Sequence, residues 1–167
     1  MRRQFKNGNM WLVLVFIVMG VLFYSSSQTY HEQTQLPLLH KLLKSEPLKA
    51  QLSSINFQYA DEQISIKDSG YFSFVEFFIR KGAHLSMYFL LGSFWFLALE
   101  KRMKPNILVA FVSWQAATGY AGLDEFHQML TGDRTPLFHD VVLDSVGALL
   151  AVVGFLLVRA IERKKRR

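Results

Sequence analysis

The chain has 167 residues, 19 Lys and Arg against 13 Asp and Glu, and no cysteine. One domain of ordinary size is expected, and disulfides, thiolate metal sites and cysteine nucleophiles are excluded. The chain is 51% hydrophobic with 15 Phe, yet its mean hydropathy is only +0.17, so the apolar residues must lie in blocks. A basic balance raises nucleic-acid binding as a class, but the cations sit at the ends of those blocks, which argues against it.

In chain order, the first block is Met10–Tyr24, MWLVLVFIVMGVLFY, behind the basic start Arg2, Arg3 and Lys6. A secretory signal peptide would have similar flanks, with SSS following the apolar run, but nothing like Ala-x-Ala is present. Residues 28–81 come next and are not low-complexity. In LPLLHKLLKSEPLKAQLSSI, Leu38, Leu39, Leu42 and Leu43 fall at helical spacing among Lys41, Lys44 and Lys49, with Pro37 and Pro47 placed to start or separate short amphipathic helices. QISIKDSG reads as a brief strand or an extended linker, and YFSFVEFFIRKGAH resumes helical spacing.

Three more blocks follow, Ala83–Leu99, Ile107–Leu123 and Val141–Val158. Each of the four is slightly shorter than the roughly 20 apolar residues that cross a hydrocarbon core, and interfacial flanks extend them. The expectation is therefore an all-α polytopic membrane protein. It is a single domain over 1–167, a four-transmembrane-helix bundle with short amphipathic external helices. The spans lie at about 10–27, 82–100, 106–123 and 140–159, and the external segment at 28–81.

Twelve of the 19 basic residues lie in the N-terminus, in the loop with Lys101, Arg102 and Lys104, and in the C-terminal run from Arg159 to Arg167. The positive-inside rule then makes both termini cytoplasmic. The basic tail is a topology anchor and a contact for anionic lipid.

Ionisable residues crowd the opposite ends of the last three spans. Lys81, His84 and Tyr88 share a face by i,i+3 and i,i+4 spacing. Asp124 and Glu125 each fall one turn from Gln128, and Asp140 and Asp144 are one turn apart with Gly147 continuing that face. Thr135 and Pro136 suit the N-cap and first position of the last helix. An acid such as Asp144 at the centre of a membrane helix costs roughly 2.5–3.5 kcal/mol on insertion scales, so it usually faces the bundle interior and a partner. The small residues of the third span, such as Ala117 and Gly119, and of the fourth, such as Gly147, read as helix-packing positions.

One reading of these charges is structural, with the acids neutralised by Lys81, Arg134 and a protonated His84. Asp133 beside Arg134 is then a solvated turn, and His139 a solvated interfacial residue. Four carboxylates against two fixed cations leave negative charge to be met by protons, a metal ion or a cationic ligand group. His84, Asp124, Glu125, His127, Asp140 and Asp144 carry donors that a divalent metal accepts. DEFHQ nevertheless lacks the i,i+4 His pair of a zinc-protease motif, and no nucleophile elbow accompanies Ser86 or Ser145.

At these positions the sequence resembles the VanZ-like membrane protein family. LFYSSSQT resembles the ending of that family's first helix, through Ser26, Ser27 and Gln28. IRKGAHLSMYFLLG resembles its Arg-Lys-x-x-His-x-x-x-Tyr motif through Arg80, Lys81, His84 and Tyr88. The stretch from Asp124 to Gly147 resembles its acid series, through Asp124, Glu125, His127, Gln128, Arg134, Asp140, Asp144 and Gly147. Two departures stand out: Met87 replaces a frequent Glu, and Gly132-Asp133-Arg134 replaces Pro-Gly-Arg.

The resemblance implies a multi-pass bacterial cell-membrane protein with a link to teicoplanin tolerance, and it implies no settled reaction. The expected ligand-binding set is Arg80, Lys81, His84, Tyr88, Asp124, Glu125, Gln128, Arg134, Asp140 and Asp144. Its ligand would be a lipid head group or a lipid-linked cell-wall precursor, held by phosphate contacts to the cations and hydrogen bonds to the acids. The alternatives are a membrane-embedded hydrolase or transferase, with Glu125 or Asp124 as general base and His84 as acid or metal ligand, and a scaffold for envelope enzymes. No cofactor is expected beyond a divalent metal that the donor set would admit.

Overall fold

A computed structural model describes residues 8–131 and 137–165. In chain order its elements are α1 (Asn9–Ser26), α2 (Tyr30–Gln33), α3 (Leu36–Leu42), α4 (Lys49–Leu52), β1 (Asn56–Tyr59), β2 (Glu62–Ser65), α5 (Ile66–Ser69), α6 (Tyr71–Leu99), α7 (Asn106–Leu130) and α8 (Phe138–Lys165). Helix accounts for 78% of the described residues, so the protein is mostly helical, but the all-α expectation needs one correction. β1 and β2 pair antiparallel, with Phe57 opposite Ile64 and Tyr59 opposite Glu62. The connection is Ala60–Asp61, with Ala60 at a φ of 53°. QISIKDSG is therefore split, its first half a strand and its second a helical turn. The partner strand NFQY had escaped notice because only four residues alternate there.

By length and composition, α1, α6 and α8 are able to cross a membrane. α7 is long enough, but Ser113, Trp114, Gln115, Thr118 and Tyr120 dilute its apolar run. Three of these side chains make hydrogen bonds inside the bundle. Trp114 Nε1 donates to Ser145 Oγ at 2.9 Å, Thr118 Oγ1 lies 2.8 Å from the same hydroxyl, and the Tyr120 hydroxyl donates to the Met19 carbonyl at 2.6 Å. α7 is thus tied to α8 and α1 by hydrogen bonds where apolar side chains alone would leave it unspecified.

The centre of the bundle is Val15, Val18 and Leu22 of α1, Tyr88 and Leu91 of α6, Ala117 and Ala121 of α7, and Ala148 of α8. A second cluster, Phe96, Val109, Ala110 and Val152, fills the other end. Small residues set the spacing, though not every one that the sequence suggested. A Cβ on Gly147 would sit 2.5 Å from the Leu85 carbonyl oxygen, and one on Gly92 would sit 3.0 Å from Ala148, so these two glycines hold α6 against α8. Gly119, Gly122 and Gly154 face open space. Large apolar side chains such as Phe16, Phe111, Leu150 and Leu157 point outward, as expected where the surroundings are lipid.

α6 starts at Tyr71, so the helical spacing of YFSFVEFFIRKGAH runs unbroken into the span expected at 82–100. Gly70, at a φ of 81°, ends α5 and redirects the chain. From there no proline interrupts the helix, and its first turns serve as a platform for the segment between α1 and α6. Tyr71 donates to the Pro47 carbonyl at 2.8 Å, and Phe77 packs edge-on against Phe57 and Tyr59 of the hairpin. Glu76, buried to 2% exposure, accepts from Thr34 Oγ1 at 2.9 Å and from the Gln35 backbone N–H just before α3. Thr29 and Glu32 form a reciprocal capping box over α2. The Thr29 backbone and hydroxyl donors hold the exposed Glu32 carboxyl below its ordinary range.

Candidate functional site

Three helices and the hairpin converge on one polar cluster. Regular helical spacing puts Lys81, His84 and Tyr88 on one face of α6, which looks at Asp140 and Asp144 on the first turns of α8. His84 Nδ1 lies 3.4 Å from Asp144 Oδ2, a long contact, and Lys81 pairs with Asp140 Oδ1. The Asp140 oxygen also accepts from the Tyr59 hydroxyl at 2.6 Å, and the Lys81 ammonium stands 4.7 Å above the Tyr59 ring. From α7, Asp124 accepts from Gln128 Nε2 at 3.4 Å, and Glu125 accepts the Leu137 backbone N–H at 2.6 Å where the chain enters α8.

Exposure separates these groups into two layers. Asp124 and Asp144 are each 4% exposed, Gln128 is 5% and Glu125 9%, whereas Lys81 and Asp140 keep partial contact with the surroundings. Among the described residues, Asp124 Oδ1, Asp144 Oδ1 and the Tyr88 hydroxyl are buried with no group in hydrogen-bonding geometry. Such groups normally cost free energy when left without a partner. Beside them a cavity of about 30 Å³ is lined by Arg80, Lys81, His84, Gln128, Asp140 and Asp144.

Nearly every residue expected at the site is therefore brought together: Arg80, Lys81, His84, Gln128, Asp140 and Asp144 at the cavity, with Tyr88, Asp124 and Glu125 around it. Arg134, with Asp133, Thr135 and Pro136, lies outside the described residues. His127 faces elsewhere: its ring stacks on Phe23 with centroids 4.4 Å apart, and its Nδ1 meets Ser26 Oγ at 2.8 Å, tying α7 to α1. Met87 packs against the apolar core. Among the described residues no group of three or more His, Asp or Glu side chains is arranged to hold a metal ion. Glu125, a candidate base, has one carboxylate oxygen committed to the Leu137 backbone N–H.

Two residues were missed, Tyr59 at the cluster and Glu76 in the fold beneath the external segment. Tyr59 comes from a hairpin more than 80 residues away in sequence, and nothing in its own surroundings signals the contact. Glu76 is a lone acid in an aromatic helical run, the same signal that marked Asp144.

A family model, VanZ/LLP1, matches residues 11–159. The chain belongs to the VanZ/LLP1 family. No curated protein and no solved structure matches it. The three sequence segments that resemble VanZ-like proteins thus lie inside the matched range, and in this VanZ/LLP1 chain all three meet at one end of the bundle. Ser26 from the first reaches His127 of the third, and His84 from the second reaches Asp144 of the third.

Proposed function

We propose that this VanZ/LLP1 protein is a multi-pass protein of the bacterial cell membrane whose polar pocket receives the ammonium group of a lipid head group or lipid-linked wall precursor. α7 also spans the membrane, making four spans with α1, α6 and α8; the termini are cytoplasmic, and the pocket opens at the outer face, beside the short helices and hairpin that follow α1. The distribution of Lys and Arg supports that orientation. The interhelical hydrogen bonds of Trp114, Thr118 and Tyr120 support the fourth span, because they satisfy the side chains that would otherwise be costly in lipid.

One observation carries the ligand assignment: among the described residues, one buried carboxylate oxygen each of Asp124 and Asp144 has no hydrogen-bond partner, and Asp144 lines a cavity of about 30 Å³. That volume is about the share of one water molecule in the liquid, and a primary ammonium is of similar size. It supplies three donors and the positive charge that the acids lack. Arg80 and Lys81 line the same cavity and would take the phosphate of a zwitterionic head group. Occupancy of such outer-leaflet groups is the route by which the protein would contribute to teicoplanin tolerance.

Thermal melts of the detergent-purified chain test the assignment with short-chain phosphoethanolamine and phosphocholine lipids. The ethanolamine lipid raises Tm of the wild type by several degrees, as saturating ligands do, and leaves Asp144→Asn unmoved. The choline lipid, whose three methyl groups exceed the cavity, has no such effect. Equal shifts for both lipids, or an unchanged shift in Asp144→Asn, contradict the assignment.

A further inference from the structure

We propose that the opposite end of the bundle holds a second site, for the phosphate of an anionic phospholipid. It is independent of the polar pocket and rests only on the membrane reading. The cavity there, about 500 Å³, is lined by the cations Lys101, Lys104, Arg159 and Arg163, by Asn106, and by the acids Glu100 and Glu162. From Asp144 to Arg159 along α8 is about 22 Å at the helical rise, which puts this cavity at the other membrane surface.

The acids in it are already matched. Glu100, 6% exposed, takes Arg159 Nε at 3.0 Å and Nη2 at 2.9 Å, while Arg159 Nη1 reaches Glu162 at 3.0 Å. Lys101 stands 3.7 Å from Glu100. Lys104 donates to the neutral side-chain amide oxygen of Asn106, Oδ1, at 3.3 Å, and among the described residues neither it nor Arg163 is paired with a carboxylate. The Glu100–Arg159 pair thus acts as a buried strut, and the cations left over are arranged around empty space.

A second cavity of about 250 Å³ adjoins the first, sharing Asn106, Arg159 and Arg163 and continuing along Ile107, Leu156 and Ala160. A soluble phosphate would use the charged part alone. A phospholipid uses both, with its phosphate between Lys104 and Arg163 and its glycerol and first methylenes on the apolar continuation. The shared residues favour the lipid. Each interfacial cation is worth about a fivefold preference for an anionic over a neutral head group.

The test uses the full chain in nanodiscs of equal phosphatidylglycerol and phosphatidylcholine, with native mass spectrometry of the lipid that remains bound. The wild type retains phosphatidylglycerol over phosphatidylcholine by about fivefold or more. The variant Lys104→Gln/Arg163→Gln, changed only at exposed positions and checked for an unaltered melt, retains the two at the bulk ratio. The charge-matched variant Lys41→Gln/Lys44→Gln keeps the wild-type preference. A bulk ratio in the wild type overturns the proposal, as does an equal loss in the charge-matched variant, which would make the attraction diffuse. Stabilisation by inorganic phosphate in lipid-free detergent equal to that by phosphatidylglycerol overturns the lipid assignment.

Discussion

Tyr59 shows how a single side chain closes the polar cluster from above. Its hydroxyl donates to Asp140, and its ring lies beneath the Lys81 ammonium. Burial, and after it the hydrogen bond to Asp140, push the phenol well above its ordinary value of 10. The folded chain therefore holds this proton more tightly than the unfolded one. The contact contributes fully below pH 10 and is lost progressively as pH rises beyond it. Tyr59→Phe removes the hydrogen bond at a cost of about 1 kcal/mol and removes this alkaline sensitivity with it. Melts of both proteins between pH 8 and pH 11 check the pair. The wild type loses its advantage above about pH 10, and an advantage that persists at pH 11 would refute the contact. Asp144 was legible from sequence because a charge between apolar neighbours has few innocent explanations. Tyr59 was not, because a tyrosine in a polar stretch has many.

At the scale of elements, the decisive contact is α6 against α8, where Gly147 lets the helix approach the Leu85 carbonyl. Gly147→Ala would place a methyl 2.5 Å from a backbone oxygen, and backbone cannot step aside cheaply. The expected cost is about 1–3 kcal/mol, seen as a lower Tm. The His84–Asp144 contact, one turn away, is stretched with it. Gly119→Ala, which meets nothing within 4 Å, leaves Tm unchanged or raises it slightly through helix propensity. Equal losses in the two variants would remove Gly147 from its assigned role.

The long helices were readable because apolar runs, basic flanks and i,i+4 pairs are local signals. Which glycines sit at a contact was not, because small residues line both the packed and the open faces of α7. The hairpin escaped for a related reason: Asn56–Tyr59 is too short for its alternation to register. The helical spacing of 71–84 was legible, but its packing under α3 and the hairpin was not.

For the whole molecule, charge asymmetry and site position make one statement. The polar pocket and the basic cavity lie at opposite ends of the bundle, and the positive-inside rule assigns the basic end to the cytoplasm. The absence of native cysteine makes this directly measurable. In intact cells, a membrane-impermeant maleimide labels Ser54→Cys, in the segment between α1 and α6, and labels Lys164→Cys only after permeabilisation. The reverse pattern would turn the molecule over and move the polar pocket to the inner face.

The central claim is that Asp124 and Asp144 await an ammonium group. Its most direct test is native mass spectrometry of the full chain released from nanodiscs of equal phosphatidylethanolamine and phosphatidylcholine. The wild type is predicted to retain the ethanolamine lipid in preference by about tenfold, the scale of a charge-assisted hydrogen bond, and Asp124→Asn/Asp144→Asn to retain both lipids equally. A wild type that leaves the nanodisc with the two lipids in the bulk ratio would contradict the account.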